Sequence, residues 1–194
     1  MKIAVFDIES LGVSSESVIL SAAITFGTIK DQYTTQELVD NTFFVKFNVE
    51  EQITKYKRTV DPDTGEWWKK QCDSVKKMSL IPSNKDLSAK EGIVKLSEFV
   101  KSQCDPATSI VFARGSLDQV CLDSLTKQTQ EPIIFPYSNW RDVRTYIECM
   151  AEKSKRGYCE INKAYFPDYD PNRIIKHQPT WDCILDFMMI LSCN

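Results

Sequence analysis

The chain has 194 residues, of which 42% are hydrophobic and 26% charged, and its formal net charge is −3. This length fits one domain with a core of useful size, and the composition is that of a globular protein rather than a disordered one. The small acidic surplus argues against a protein that coats nucleic acid by bulk positive charge.

Seven cysteines stand at scattered spacings without a Cys-x-x-Cys pair, and the chain has one histidine. These features favour neither a zinc site nor a disulfide framework, and they are typical of a reduced intracellular protein. The opening apolar run is too short for a signal sequence, and no later stretch approaches the roughly 18 apolar residues of a membrane span. We therefore expect a cytoplasmic protein with no membrane partner.

The first half of the chain begins with segments rich in Ile, Val and Phe, which predict an antiparallel meander of three strands. These strands are expected over 2–8, 18–26 and 41–47. A helix is predicted over about 62–71. The run Ser88-Ala89-Lys90-Glu91 is a capping box, and it indicates a second helix over about 89–102.

The second half alternates strands with helices. A buried strand is predicted over 109–113, and Ser116 is expected to cap the helix that follows. The remaining elements are a last strand over 132–136, a helix over 142–153, a loop region over 154–178 and a closing helix over 181–191. This order predicts an α/β fold with a five-stranded mixed sheet flanked by helices.

Two acids end the first strand, in the run Val5-Phe6-Asp7-Ile8-Glu9. Because alternate residues of a strand point the same way, Asp7 and Glu9 project together and Ile8 points to the opposite face. Two carboxylates aimed at one point repel each other unless a hard divalent cation lies between them. Taken alone, the pair also fits a strand that simply ends in solvent.

Three residues later in the chain extend this pattern. Asp118 falls in the first turn of the helix after a central strand, and Asp182 falls in the first turn of the closing helix. His177, the only histidine, precedes Asp182 by five residues. A helix N-terminus tolerates carboxylates through its dipole, which is a structural alternative for both of these acids.

The ordered set Asp7-x-Glu9, Asp118 and His177-x4-Asp182 resembles the DEDDh 3′–5′ exonucleases of the ribonuclease H-like superfamily. The resemblance extends from residue 3 to about 186. Within that family the chain is most similar to the small phage exonucleases of the DexA type. Two stretches carry this similarity, Pro62-Asp63-Thr64-Gly65-Glu66-Trp67-Trp68-Lys69-Lys70-Gln71 and Arg141-Asp142-Val143-Arg144-Thr145. The chain departs from that group at Arg114, where an aromatic residue more often precedes the glycine.

The resemblance implies two-metal hydrolysis of a phosphodiester with Mg²⁺ or Mn²⁺. Asp7 is implied to bridge the two ions. Glu9 and Asp182 are implied to hold the ion that binds the attacking water, and Asp118 the second ion. His177 is implied to take the proton from that water, a role that suits a side chain with an ordinary pKa of about 6.5.

The implied substrate is single-stranded nucleic acid with a free 3′ end, and the phage likeness favours DNA. The residues implied to touch its last nucleotides are Ser10, Leu11, Trp68 and Gln71, with Leu11 as a wedge between bases. At most one of Trp67 and Trp68 is expected to face inward on a helix. Candidate basic segments for the strand's path are Lys55-Tyr56-Lys57-Arg58, Lys69-Lys70, Lys76-Lys77 and Lys153-Ser154-Lys155-Arg156.

The resemblance also implies that residues 1–194 form a single exonuclease domain. A homodimer is compatible with it, since some relatives in the family pair as dimers. Three alternatives stay open at this point. They are an exoribonuclease with the same residues, a catalytically silent nucleic-acid-binding module, and an α/β interaction or structural protein whose acids are surface groups.

Overall fold

A five-stranded mixed sheet forms the centre of the protein, in a computed structural model that describes residues 2–29 and 32–193. The strand order is β3-β2-β1-β4-β5; β1, β2 and β3 are antiparallel neighbours, whereas β4 runs parallel to β1 and β5 parallel to β4. The strands are β1 (Lys2–Ser10), β2 (Ile19–Thr28), β3 (Thr42–Lys46), β4 (Ile110–Ala113) and β5 (Trp140–Asp142). The predicted opening meander and mixed sheet are confirmed.

Helices cover both faces of this sheet. They are α1 (Thr35–Asp40), α2 (Val49–Thr54), α3 (Pro62–Lys69), α4 (Asp73–Val75), α5 (Ala89–Gln103), α6 (Leu117–Gln128), α7 (Val143–Met150) and α8 (Pro179–Ser192). A π-helical turn, Lys76–Leu80, continues α4, and short 3₁₀ turns cover Tyr137–Asn139 and Pro171–Arg173. None of the helices in the described ranges is long and apolar enough to cross a membrane.

The alternation of β1 divides the core into two layers. Ile3 and Val5 pack with α7 and α8 on one face, whereas Phe6 and Ile8 pack with α5 and α6 on the other. Asp7 points to the same face of the sheet as Ile3 and Val5. The sequence pattern therefore aims the acid at the face that α8 covers.

The pairing of β1 with β2 changes register directly after the second acid. Asp7 lies opposite Ala23 and Glu9 opposite Ser21, but the register shifts between Glu9 and Ser10. Such an irregularity bends a strand and redirects the chain that follows it. Here the irregularity lies just beyond the residues that carry the carboxylates, and one further pair, Ser10 with Ile19, follows it.

Two predictions about local structure are wrong. Residues 132–136 were expected to form the last strand, but this strand lies at Trp140–Asp142 instead. Pro132 and Pro136 bound the earlier segment and lack the N–H that a ladder needs, so Ile134 and Phe135 contribute only buried side chains. Ser116 occupies the N-cap position of α6, but its side chain makes no capping hydrogen bond.

The predicted capping box of α5 is confirmed, since the hydroxyl of Ser88 accepts from the backbone of Glu91 and the Glu91 carboxylate accepts from the backbone of Ser88. The predicted helices are all present, within three residues at each end. The sequence did not predict α1, α2 or α4, because each has at most six residues and too few turns to show a periodicity.

Arg58 is buried rather than part of a basic surface, with 3% of its area exposed. Its guanidinium donates five hydrogen bonds, at 2.6–3.2 Å, to the carbonyls of Ser15 and Ser17 and to the side chains of Ser124 and Gln128. The cation therefore fastens the segment after β1 to α6. It is not available to a phosphate, which removes it from the candidate basic segments.

Candidate active site

Asp118 lies between the two acids of β1. It is 6% exposed, and its Oδ1 accepts a hydrogen bond of 3.0 Å from the backbone N–H of Ile8. This bond uses a donor at the residue between Asp7 and Glu9, so the first turn of α6 is tied to the end of β1. The structure therefore brings these three carboxylates close together, as the sequence predicts.

The N-terminus of α8 brings the remaining two predicted residues to the same place. Pro179 occupies the first turn, where its missing N–H costs nothing, and Asp182 lies in that turn as well. His177 precedes the helix with a φ of +63°, a left-handed conformation that histidine adopts more often than most residues. Its backbone N–H donates to the Asp182 carboxylate.

The side chains converge on one small cleft. One ligand atom each of Glu9, His177 and Asp182 lies within 4.8 Å of the other two. The cleft has a volume of about 280 Å³, and Asp7 and Asp118 also line it. All five residues predicted to be catalytic therefore surround a single space.

Burial and mutual repulsion make these acids hold protons more tightly than usual. Burial, followed by the charges of Asp182 and Asp118, raises the pKa of Glu9 to about 8. Burial raises the pKa of Asp118 to about 7, and burial together with the Asp186 charge raises the pKa of Asp182 to about 7. These shifts mark a concentration of negative charge that no cation of the protein neutralises fully.

Asp7 is the most perturbed of the group. Burial, followed by the charges of Asp118 and Glu9, raises its pKa well above the ordinary value. Its Oδ2 is buried, and within the described ranges no donor reaches it. Because buried polar atoms are normally hydrogen-bonded, this oxygen is an exception that a bound cation would explain. The donor set, carboxylate oxygens with one imidazole, suits Mg²⁺ or Mn²⁺.

His177 differs from the acids in the sign of its shift. Burial, followed by the charge of Lys176, lowers the pKa of its imidazole. The edge of its ring meets Trp67, with ring centroids 4.8 Å apart and planes at 90°. The imidazole is therefore held mostly neutral, with a fixed orientation at the mouth of the cleft.

Sequence reasoning missed an ion pair on the far side of the cleft. Arg114 binds Asp186 with nitrogen–oxygen distances of 2.7 and 2.8 Å, and it donates to the Gly157 carbonyl at 3.1 Å. Its guanidinium also lies 4.0 Å from the ring centre of Tyr158. Asp186 follows Asp182 by one helical turn, and this spacing was the available signal.

Arg144 is a second cation that lines the cleft. Its side chain is exposed, and no ion pair joins it to a described residue. Its positive charge lowers the pKa of Asp118 and Asp186, against the larger effect of their burial. Arg144 belongs to the Arg-Asp-x-Arg-Thr stretch, which was the available signal in the sequence.

The residues expected to touch the substrate divide into two groups. Trp68 is 1% exposed and Leu11 is 7% exposed, and both pack in one apolar cluster. The Trp68 Nε1 donates to the Ser10 carbonyl at 2.9 Å, so this ring supports the chain after β1 and offers no face to a base. Ser10 and Gln71 are partly exposed, and the exposed tryptophan is Trp67, at 38%.

Comparison with known proteins identifies a family, a phage relative and solved structures with a similar fold. A family model described as the 3′–5′ exoribonuclease Rv2179c-like domain matches residues 2–167. The exodeoxyribonuclease of Enterobacteria phage T4 is 27% identical over 205 aligned residues, covering 96% of this chain and 86% of the phage protein. The solved nuclease domain of 3′hExo, a DEDDh family member bound to rAMP, superposes with a TM-score of 0.62 at 12% identity, covering 98% of this chain and 90% of that one.

These matches bear on different properties. The likeness to the 3′hExo domain shows the fold, and it confirms the expected ribonuclease H-like sheet. The family model covers most of the chain, and the phage relative aligns along nearly all of it. The resemblance derived from the acids and the histidine is confirmed. The chain belongs to the family of 3′–5′ exoribonuclease Rv2179c-like domains, and it is a 3′–5′ exonuclease of the DEDDh type.

Proposed function

We propose that the protein removes nucleotides stepwise from the 3′ end of single-stranded DNA by phosphodiester hydrolysis with two divalent cations. One observation carries this proposal. Four buried or half-buried carboxylates and a neutral histidine surround one small cleft, and no donor from residues 2–29 or 32–193 reaches one carboxylate oxygen there. Repulsion of this kind is costly, and it is tolerated where a metal ion supplies positive charge.

Asp7, Glu9, Asp118 and Asp182 would hold the cations. When bound, Mg²⁺ or Mn²⁺ supplies charge that stabilises the phosphate oxygens and acidifies a water molecule. The hydrogen bond from the Ile8 N–H to Asp118 fixes one oxygen of that carboxylate and leaves the other free to face the cleft. The backbone N–H of His177 lowers the pKa of Asp182 and so favours its charged form.

His177 would accept the proton of the attacking water. Its pKa is lowered by burial and by Lys176, so the neutral form that can take a proton is present at neutral pH. The edge-on contact with Trp67 limits rotation of the imidazole. Because His177 is in the left-handed region, the ring leaves the backbone in a direction that an ordinary extended residue does not offer.

Arg144 would bind an oxygen of the substrate phosphate, because its guanidinium lines the cleft without a carboxylate partner in the described ranges. Arg114 would not, since Asp186 and the Gly157 carbonyl already occupy its donors. We propose Ser10, Gln71 and the exposed ring of Trp67 as contacts for the terminal nucleotides. The buried side chains of Trp68 and Leu11 would pack behind these contact residues and hold them in position.

The phage T4 relative is named an exodeoxyribonuclease, which supports DNA as the substrate. A second candidate is RNA, since the family model is described as an exoribonuclease domain and the solved structure of the 3′hExo domain contains rAMP. The acids engage phosphate groups that both polymers share. A contact to the 2′-hydroxyl would distinguish them.

The test is a cleavage assay with 5′-labelled single strands of DNA and RNA of one sequence, in Mg²⁺ or in chelator. We expect a ladder of products shortened from the 3′ end, faster on DNA, absent in chelator and absent in an Asp7→Ala variant. Asp40→Ala is the matched control, because Asp40 is an exposed acid at the end of α1. Faster loss of RNA would favour the second candidate, and binding without cleavage would favour a silent module.

Three further properties stay predictions. We propose that residues 1–194 act as one exonuclease domain, since α8 packs across the strands at the opposite end of the sequence. A homodimer is tested by light scattering at several protein concentrations. The expected place of action is the cytoplasm, that of the host cell if a phage encodes the protein.

A further inference from the structure

A second cavity, of about 790 Å³, adjoins the catalytic cleft on the β3 side of the sheet. The segment before α8 separates the two spaces. Lys176 and His177 line the catalytic cleft, whereas Ile175 and Gln178 line the second cavity. In this segment, residues that line the cleft and residues that line the cavity are neighbours along the chain. A nucleic-acid strand that leaves the cleft past His177 would therefore reach this cavity directly.

The cavity has an apolar wall and a basic rim, and we call it the lysine groove. Phe43, Met78 and Ile175 form the wall, and Lys77, Lys85 and Lys95 form the rim. The ring of Phe43 is fixed by stacking on Phe99, with centroids 5.1 Å apart and planes at 23°. Met78 and Ile175 are 37% and 38% exposed, so this wall lies open to the surface.

The three rim lysines are exposed, and none forms an ion pair with a described residue. Lys46, which also lines the groove, differs because Asp86 lies 3.7 Å from its Nζ. The lining of the groove contains these three lysines, Lys46 and one acid, Asp86, so it forms a local positive surface in a chain whose net charge is −3. Such a surface attracts a polyanion.

The protein holds one wall of the groove in place by an unusual turn. The π-helical segment Lys76–Leu80 is closed by a hydrogen bond of 2.7 Å from the Ile81 N–H to the Lys76 carbonyl. Ser79 points inward and shares a hydrogen bond of 2.7 Å with Ser21 of β2. With Ser79 anchored, Lys77 and Met78 remain on the outside. Turns of this type occur frequently at functional sites.

We propose that the lysine groove binds the part of a single strand that lies 5′ of the nucleotides being removed. Phosphates would face Lys77, Lys85 and Lys95, and bases would lie against Phe43 and the apolar side chains beside it. Aromatic surface combined with basic residues is the usual chemistry of single-strand binding without sequence preference. This inference rests on the proposed exonuclease function, since it assumes that the polyanion is the substrate of the neighbouring cleft.

The test compares a variant with all three changes Lys77→Ala, Lys85→Ala and Lys95→Ala with a control that carries Lys101→Ala, Lys127→Ala and Lys163→Ala. The control lysines are exposed and lie outside the groove. Each protein is assayed for kcat/KM on a dinucleotide and on a strand of about 16 nucleotides, the upper end of usual site sizes.

We expect the groove variant to lose about tenfold or more in kcat/KM on the long strand and nothing on the dinucleotide. The salt dependence of long-strand binding should also flatten, by about 2 in the log–log slope, if three phosphate contacts are lost. Equal kcat/KM for the groove variant and the control on the long strand would overturn the proposal. So would a loss of equal size on both substrates.

Strand binding in chelator separates this proposal from the proposed function. Fluorescence anisotropy of the long strand needs no cleavage, so it applies even if the wild-type protein proves inactive. If the groove variant binds the strand more weakly and the control variant does not, the groove proposal is supported. This result holds even if the protein shows no cleavage and the proposed function is wrong. Unchanged binding, or displacement of the strand by polyglutamate as readily as by unlabelled strand, would overturn the groove as a nucleic-acid site.

Discussion

Arg58 and Asp7 are both buried charges, but the protein treats them in opposite ways. Arg58 has five hydrogen bonds, and carbonyl and side-chain oxygens satisfy its guanidinium. Asp7 has an oxygen that no described donor reaches, and like charges surround it. The first arrangement stabilises the fold. The second costs stability in the metal-free protein, and a charge kept at such a cost indicates function.

The largest expected effect comes from Asp7→Asn, which keeps the shape of the side chain and removes its charge. We expect exonuclease activity to fall by about 10³-fold or more, on the order of 4 kcal/mol. Thermal unfolding in chelator should move to higher temperature, since repulsion among the acids decreases. Kinetics and calorimetry on the same preparation test both halves. A variant that loses stability along with activity would make Asp7 a structural residue like Arg58.

The next effect is a pH dependence of stability in chelator. Glu9, Asp118 and Asp182 have pKa values near 8, 7 and 7 in the fold, and about 4 when unfolded. Between these values the folded state binds more protons, so the free energy of unfolding should fall by several kcal/mol as pH rises from about 5 to 8.

Urea unfolding at several pH values measures this slope. Mn²⁺ should reduce it, because a bound cation favours the ionised acids that the fold otherwise disfavours. Asp7→Asn should also lower the slope in chelator. A free energy of unfolding that does not change with pH in chelator would contradict the raised pKa values of these carboxylates.

Arg58→Met tests the other buried charge. The change leaves the Ser15 and Ser17 carbonyls without their donors, and it should lower the free energy of unfolding by about 2 kcal/mol. The kcat/KM of the folded protein should change little, because Arg58 does not line the cleft. Lys101→Met, at an exposed position of α5, is the control. If Arg58→Met lost activity without losing stability, the cation would belong to the substrate path after all.

Asp186 is the intermediate case, a buried acid of the cleft whose charge Arg114 balances. Burial raises its pKa to about 6, and Arg114 opposes that shift. Asp186→Asn should therefore cost only about tenfold in kcat/KM, near 1.4 kcal/mol, with the Mg²⁺ requirement unchanged. Asp182→Asn, one turn earlier on α8, should cost far more. Equal losses for the two variants would show that the ion pair with Arg114 does not distinguish Asp186 from an acid that holds a metal ion.

The positions of the four acids of the cleft were predictable because each depends on local geometry. Strand alternation places Asp7 with Glu9, and the first turns of two helices place Asp118 and Asp182. The choice between Trp67 and Trp68 was not predictable, since both lie on one short helix and the packing partner decides which turns inward. The structure reversed the expected choice of Trp68, because its ring completes the cluster under β1.

Other features depend on contacts distant in sequence. The burial of Arg58 needs acceptors from residues 15–17 and from α6, and nothing in the local run Lys55–Arg58 distinguishes this cation from its neighbours. The last strand was misplaced because an apolar run between two prolines resembles a strand in composition. The lysine groove likewise collects side chains from β3, the π-helical turn, α5 and residue 175.

The change of register after Glu9 separates the pairing of the two acids from the connection that follows them. Asp7 and Glu9 keep their partners Ala23 and Ser21, because the irregularity is absorbed between Glu9 and Ser10. Residues 11–18 then form a connection, and the length of this connection does not affect the pairing of Asp7 and Glu9 with β2. A substitution or a short insertion at Val13, the exposed tip of this connection, can therefore be made while the acids stay in place, whereas Leu11 and the carbonyls that Arg58 binds must keep their contacts.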